Sequence, residues 1–254
     1  MISSLSSIES WYDSYTKSFS STDISVQGAL RLKEDHCKRV MNEMAQLAHS
    51  LNLDKGNSQN ALIAGLLHDI GRFEQFVKYK TFLDARSINH ADLSVVIIEK
   101  SGILSVLDPE SASSVIEAVR LHNKAVLPPS CDQLPKMLRD ADKLDIWNVV
   151  ITHFQNPDQS TKSAVELDLP DNDDISPITV KEILNGTPWN VKSLNSVNDF
   201  KLVLMGWVFD INFQHSFKEI KRREYLEKML NVLPSCNEAT SVYKTCRSHL
   251  ERHV

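Results

Sequence analysis

The chain has 254 residues, 42% of them hydrophobic and 24% charged, the balance of a soluble globular protein long enough to bury a substantial core. Its formal net charge of −5 excludes the broad basic surface that a phosphate backbone requires, so no nucleic-acid partner is expected. Only 7 glycines and no regular strand–turn spacing favour helices over a β-sandwich.

The first residues, Met1 to Ser10, lack the basic start and apolar centre of a signal peptide. The longest apolar run, Leu202 to Phe209, falls well short of the ~18 residues of a spanning helix. Cys37, Cys131, Cys236 and Cys246 form no Cys-x-x-Cys pair and read as reduced thiols. These features together predict a cytoplasmic protein with no membrane partner.

Leu5, Ile8, Trp11 and Tyr15 lie at helical spacing and predict a short amphipathic helix over 5–19. Residues 27–52 predict a long helix, with Leu30, Val40, Met44, Leu47 and Leu51 on its apolar stripe and His36 near its middle. Residues 54–57 read as a turn, Ser58 as the N-cap of a buried helix running to Ile70, and Gly71 as its left-handed stop. Residues 72–89 predict a short helix and then a loop. His90 opens a further helix to about Lys100, and helices follow over 111–123 and 133–154, separated by Leu127-Pro128-Pro129. The acidic, proline-containing stretch 155–177 reads as a surface loop. Helical patterns resume near 178–186, 197–230 and 237–252. The expectation is one all-α domain over 1–254, with a bundle core at 27–150 and a C-terminal helical extension at 178–254.

The sharpest chemical signal is Leu66-Leu67-His68-Asp69-Ile70-Gly71-Arg72-Phe73, where a histidine and an aspartate close an apolar run. A buried carboxylate is costly unless it is paired or ligates a metal. Imidazole with carboxylate suits divalent transition metals. Taken in chain order, His36, His68, Asp69, His90, His122 and Asp142 are candidate ligands, each on or at the end of a different predicted helix apart from the adjacent pair. That arrangement suits a metal site in the core of a helical bundle. Taken singly, His36 would be a satisfied core histidine, His90 and His122 helix-end residues, and Asp142 a salt-bridged helix residue.

Order and context change that reading. His36 in His-Cys-Lys-Arg-Val, His68-Asp69 in Leu-Leu-His-Asp-Ile-Gly, and Asp142 in Asp-Ala-Asp-Lys-Leu make residues 27–150 resemble the HD superfamily of metal-dependent phosphohydrolases. The resemblance implies an HD-domain helical bundle with the additional C-terminal helices packed on it. His90 and His122 stand where binuclear branches of the superfamily add two histidines. The implied model places one metal on His36, His68, Asp69 and Asp142, a second on His90 and His122, and Asp69 between them. Asn123 stands where the HD-GYP branch often has a second histidine, and the Gly-Tyr-Pro motif is absent, so hydrolysis of cyclic di-guanylate is not supported.

In that model, water held by the metals attacks phosphorus, and nearby cations stabilise the spreading negative charge. Arg72, one turn past His68, and Lys143, next to Asp142, are the first candidates for catalysis and substrate binding; Lys124 and Lys80 come after them. Asn123 is a candidate substrate contact, and Asn89 and Asn123 flank ligands where they can hold them by hydrogen bonds. Phe76, Tyr79 and Phe82 either stack on a base or pack locally. Asp210 and Asn212 are candidates for the pocket rim. The expected substrate is a nucleotide or a similar small phosphate ester, and the metal is iron, manganese, cobalt, nickel or zinc. Two rival readings stay open: an HD-fold di-iron oxygenase with the same ligands, and a non-catalytic nucleotide-binding HD module.

Overall fold

A computed structural model describes residues 4–186 and 194–254; positions 1–3 of the expected signal-free start and 187–193 of the expected C-terminal extension lie outside them. The described residues are helical and contain no strand. The helices are α1 (Ser4–Lys17), α2 (Ile24–Ser50), α3 (Lys55–Leu67), α4 (Gly71–Tyr79), α5 (His90–Ser101), α6 (Pro109–Leu121) and α7 (Gln133–Gln155). They continue as α8 (Lys162–Glu166), α9 (Pro177–Leu184), α10 (Val197–Gly206), α11 (Gln214–Arg222), α12 (Tyr225–Asn231) and α13 (Asn237–His253). No helix of the described residues is long and apolar enough to cross a membrane.

Two starts differ from the sequence reading. The stretch 54–57 is the first turn of α3, capped by Asp54, whose Oδ1 accepts from the Asn57 amide at 2.9 Å. Ser58 lies inside the helix and donates back to the Leu53 carbonyl. Gly71 does not stop a helix in the left-handed region; it begins α4. Its missing side chain serves packing, because a Cβ there would lie 2.7 Å from the His90 carbonyl oxygen and 2.8 Å from the Ser94 amide.

Helix α2 packs along α3 and α7, and α4, α5 and α6 complete a bundle around one apolar core. A second apolar core gathers α10 to α13 around the C-terminal half of α7. Helix α7 belongs to both: Met137, Leu138 and Ala141 face the first core, and Leu144, Trp147 and Val150 the second. Asp142 sits at the changeover.

The expected helix over 197–230 is broken into α10, a 3-10 turn at Trp207–Asp210, α11 and α12. The break has a physical cause. After the turn, the Asn212 and Phe213 amides donate to the buried Asp140 carboxylate of α7 at 3.0 to 3.1 Å, so this backbone cannot bond within a helix. Arg223, just after α11, grips Glu43 of α2 through two bonds of 2.7 and 2.9 Å. The stretch 155–177 is more than a loop. It contains α8, whose Ala164, Val165 and Glu166 are buried, and Glu166 pairs with His153 of α7 at 2.9 Å.

A cleft of about 760 Å³ lined by Asp54, Asp108, Glu117 and Asp132 opens among the N-terminal ends of α3, α6 and α7. The histidines of interest lie at the opposite ends of α3 and α6.

Gly65 lets α3 approach α2: a Cβ there would lie 2.8 Å from Met41 Cα and 3.0 Å from Met41 N. Backbone cannot yield as a flexible side chain does. Gly65→Ala is therefore expected to destabilise the fold by about 1–3 kcal/mol, read as a lower urea midpoint at unchanged slope.

Candidate metal centre

Helix ends position most of the site. His36 is buried in mid-α2. His68 caps the C-terminus of α3 with Asp69 beside it, and His122 caps the C-terminus of α6. His90 is the first residue of α5, behind the N-cap Asn89. At the two C-termini the imidazole satisfies a carbonyl that the last helical turn leaves free. His68 Nδ1 donates to Gly65 O at 2.8 Å, and His122 Nδ1 to Val119 O at 2.7 Å.

The other two rings are held by carboxylates. His36 Nδ1 lies 2.7 Å from Asp145 Oδ2, and His90 Nδ1 lies 2.7 Å from Asp84 Oδ2. Carbonyl and carboxylate oxygens only accept, so all four Nδ1 atoms carry the proton and all four Nε2 atoms are left to ligate.

The four Nε2 atoms meet in two pairs. His36 and His68 approach to 3.2 Å, and His90 and His122 to 3.0 Å. Asp69 stands between the pairs. Its Oδ2 is 3.6 and 3.7 Å from the first pair, and its Oδ1 is 3.4 and 3.7 Å from the second. Asp142 Oδ1 joins the first pair at 3.1 and 3.6 Å.

These residues fit a metal. Bare lone pairs about 3 Å apart repel unless a proton or a metal cation lies among them. Asp69 Oδ1 and Asp142 Oδ1 are buried without a hydrogen-bond partner. The sets His36–His68–Asp69, His68–His122–Asp142 and Asp69–His90–His122 each gather their donor atoms within 4.8 Å, and each is able to hold a metal ion.

The electrostatics follow from burial and from the charges nearby. Burial would raise the Asp69 carboxyl, but the Lys33 ammonium, His68 and Arg72 outweigh it and hold Asp69 well below the usual carboxylate range. Burial would likewise raise Asp142, which His36 and His68 hold well below that range. Burial, then Arg72, pushes His90 down to about 4. For His36, burial and Lys33 push downward, yet Asp142 and Asp145 leave its pKa raised.

The cations expected from the sequence are partly engaged elsewhere. Arg72 Nη1 donates to Phe82 O, Gln75 Oε1 and Asp84 Oδ1, and its Nε lies 3.4 Å from Asp69 Oδ1. Lys143 donates to Asp210 Oδ2 at 2.6 Å and forms no ion pair with Asp69 or Asp142. Arg139 shares that Asp210 carboxylate and also donates to the His122 and Lys124 carbonyls. Asn123 donates to Asp84 and Asn89 at 3.2 and 3.1 Å, behind the ligands. Lys80 and Lys124 are exposed. Phe82 is buried against Phe76, with ring centroids 4.5 Å apart, and offers no open face for a base. Asn212 bonds to Asp140.

Sequence reasoning missed Lys33, Asp84, Asp145 and Arg39. Lys33 lies 2.8 Å from Asp69 Oδ2. Arg39 holds Asp145 through two bonds, and Asp145 in turn holds His36. Lys33 precedes His36 by one helical turn and Asp145 follows Asp142 by one, so i,i+3 spacing from a ligand was the available signal. Asp84 lies in a loop, where periodicity carries none.

Asp145→Asn is expected to weaken metal affinity by ~10–100-fold, measured by competition with a chelator. A pH prediction concerns the metal-free protein. His90 titrates near ~6.5 in the unfolded chain but only near about 4 in the fold. The unfolded state therefore binds more protons in this window, and stability falls as pH drops from ~6.5 to ~4, by about 3 kcal/mol from this group. His90→Gln should flatten that slope in urea titrations of chelator-treated protein; an unchanged slope would contradict the assignment.

Residues 34–147 match the family model described as HD domain. No curated protein and no solved structure matches the chain. The matched segment begins just before His36, ends just past Asp145 and takes in every histidine and aspartate of the cluster. Its bundle is all-α, as that family requires. Residues 34–147 thus match the HD domain, a family of metal-dependent hydrolase type, and carry histidines and aspartates able to hold a metal ion.

Proposed function

We propose that this protein is a metal-dependent phosphohydrolase that cleaves a phosphate ester of a nucleotide or a similar small molecule. Its site would hold two divalent transition metals, one on His36, His68, Asp69 and Asp142 and one on His90, His122 and Asp69. The observation that carries this reading is the Asp69 carboxylate, whose two oxygens each face a different pair of imidazole nitrogens. A single-metal site has no need of the second pair. When bound, such ions lower the pKa of coordinated water towards neutrality and clamp the attacking and leaving oxygens of a phosphoryl group.

The chain's own residues orient that chemistry. Asp145 and Asp84 fix the His36 and His90 rings, and the Gly65 and Val119 carbonyls fix His68 and His122. Arg72 ties Asp84 to the Phe82 carbonyl while adding positive potential beside Asp69, which favours the negative charge of a phosphoryl transition state. Lys143 and Arg139 anchor Asp210, and Arg139 bonds the carbonyl of His122, so Arg139 steadies the backbone of a residue that would hold the second metal.

The test combines elemental analysis of anaerobically purified protein with phosphate release from nucleoside monophosphates and p-nitrophenyl phosphate under nitrogen. Two metals per chain are expected, falling to about one in His90→Ala and His122→Ala. Hydrolysis should fall on the order of 10²-fold or more in both variants, the scale of losing one preorganised electrostatic contact. A single metal untouched by either substitution removes the second site. Iron with oxygen consumption and no phosphate release turns the reading to the oxygenase.

A further inference from the structure

Building on the phosphohydrolase reading, we infer that Lys33 is the substrate-binding cation of this site, and that the substrate is a phosphate monoester dianion. Lys33 lies on α2, one turn before His36. Its Nζ donates to Asp69 Oδ2 at 2.8 Å, its only hydrogen bond among the described residues. The side chain is 13% exposed, and the ammonium lies 5.2 Å from the centroid of the buried Phe82 ring.

Arg72 lies on the other side of Asp69 and has a different status. Its Nη1 already donates to Gln75, Phe82 and Asp84. It keeps those three partners when Asp69 is occupied, although its buried Nε, 3.4 Å from Asp69 Oδ1, has no hydrogen bond of its own. Lys33 loses everything. Asp69 Oδ2 is also the oxygen that faces His36 and His68. A cation bound there draws on the same lone pairs that Lys33 now uses. The ammonium is then left nearly buried with no anion, a state that proteins avoid. An oxygen of the substrate phosphoryl group, held by the same ions, restores its pairing through a charge-assisted hydrogen bond.

The charge balance selects the ester. Asp84 is engaged by His90 and Arg72, and Asp145 by His36 and Arg39. Asp69 and Asp142 alone remain to face two divalent ions and the ammonium. The surplus of positive charge suits a dianionic monoester better than a singly charged diester.

The experiment compares wild type, Lys33→Met and Lys33→Arg, each loaded with metal. Three quantities are read: metal content, inorganic phosphate binding by calorimetry, and kcat/KM on p-nitrophenyl phosphate and bis(p-nitrophenyl) phosphate. Lys33→Met should keep its full metal content and bind inorganic phosphate ~10–100-fold more weakly, the range for a hydrogen bond to a charged group. The monoester kcat/KM should fall by a similar factor and the diester by less. Lys33→Arg should recover most of the phosphate affinity. Unchanged phosphate affinity in Lys33→Met at full metal content overturns the assignment. A drop in metal content in Lys33→Met overturns it too, because it would make the ammonium a support for Asp69. A wild-type protein that holds metal but neither binds phosphate nor hydrolyses either ester sinks the phosphohydrolase reading itself, and this inference with it.

Discussion

Four imidazole nitrogens converge on one buried carboxylate, and each ring turns its unprotonated edge inward. Such a cluster is repulsive by itself. It persists because every ring is held from behind by an oxygen that accepts from Nδ1, and because Asp69 stays ionised between Lys33 and Arg72. The two pairs are built alike: each has one ring backed by a carboxylate and one backed by a helix-end carbonyl. The carboxylate makes its ring more basic, while the carbonyl sets orientation without adding charge.

Helix geometry supplies the precision. His68 and His122 occupy the C-terminal caps of α3 and α6, where the i−3 carbonyl is free of intrahelical bonding. His90 begins α5, and the bare Cα of Gly71 brings that helix start against α4. A ring placed on a rigid helix end keeps its direction when the loops around it move. The C-terminal helices add to this indirectly. Their turn at Trp207–Asp210 delivers Asp210 to Arg139 and Lys143, and Arg139 in turn bonds the carbonyl of His122. Asp140 takes up the Asn212 and Phe213 amides two residues before Asp142. One stretch of α7 thus faces the candidate ligands on one side and fastens the second core on the other.

Cations near the site have separate duties, and position in the chain does not predict which. Lys143 is adjacent to Asp142 yet pairs with Asp210, because successive helical residues point about 100° apart. Lys33 is far from Asp69 in sequence yet touches it. Arg72 is close in both senses, and its Nη1 is engaged by the loop that carries Asp84 while its Nε faces Asp69.

The sequence by itself determined the all-α class, most helix positions, and the choice of His36, His68, Asp69, His90, His122 and Asp142 as the candidate ligands that the fold brings together. Hydrophobic period and the context around His-Asp are local signals, and local signals survive in one dimension. It misplaced the start of α3, because Asp54 and Ser58 are both competent caps and only packing selects between them. It read Gly71 as a stop because a glycine needed for close approach looks the same in sequence as one needed for a left-handed turn. Tertiary structure alone decided which acceptor holds each ring, that Lys33 and not Lys143 meets Asp69, and that Asp84 reaches His90 from a loop. Those are pairings between side chains on different elements, and their distances exist only after the helices have packed.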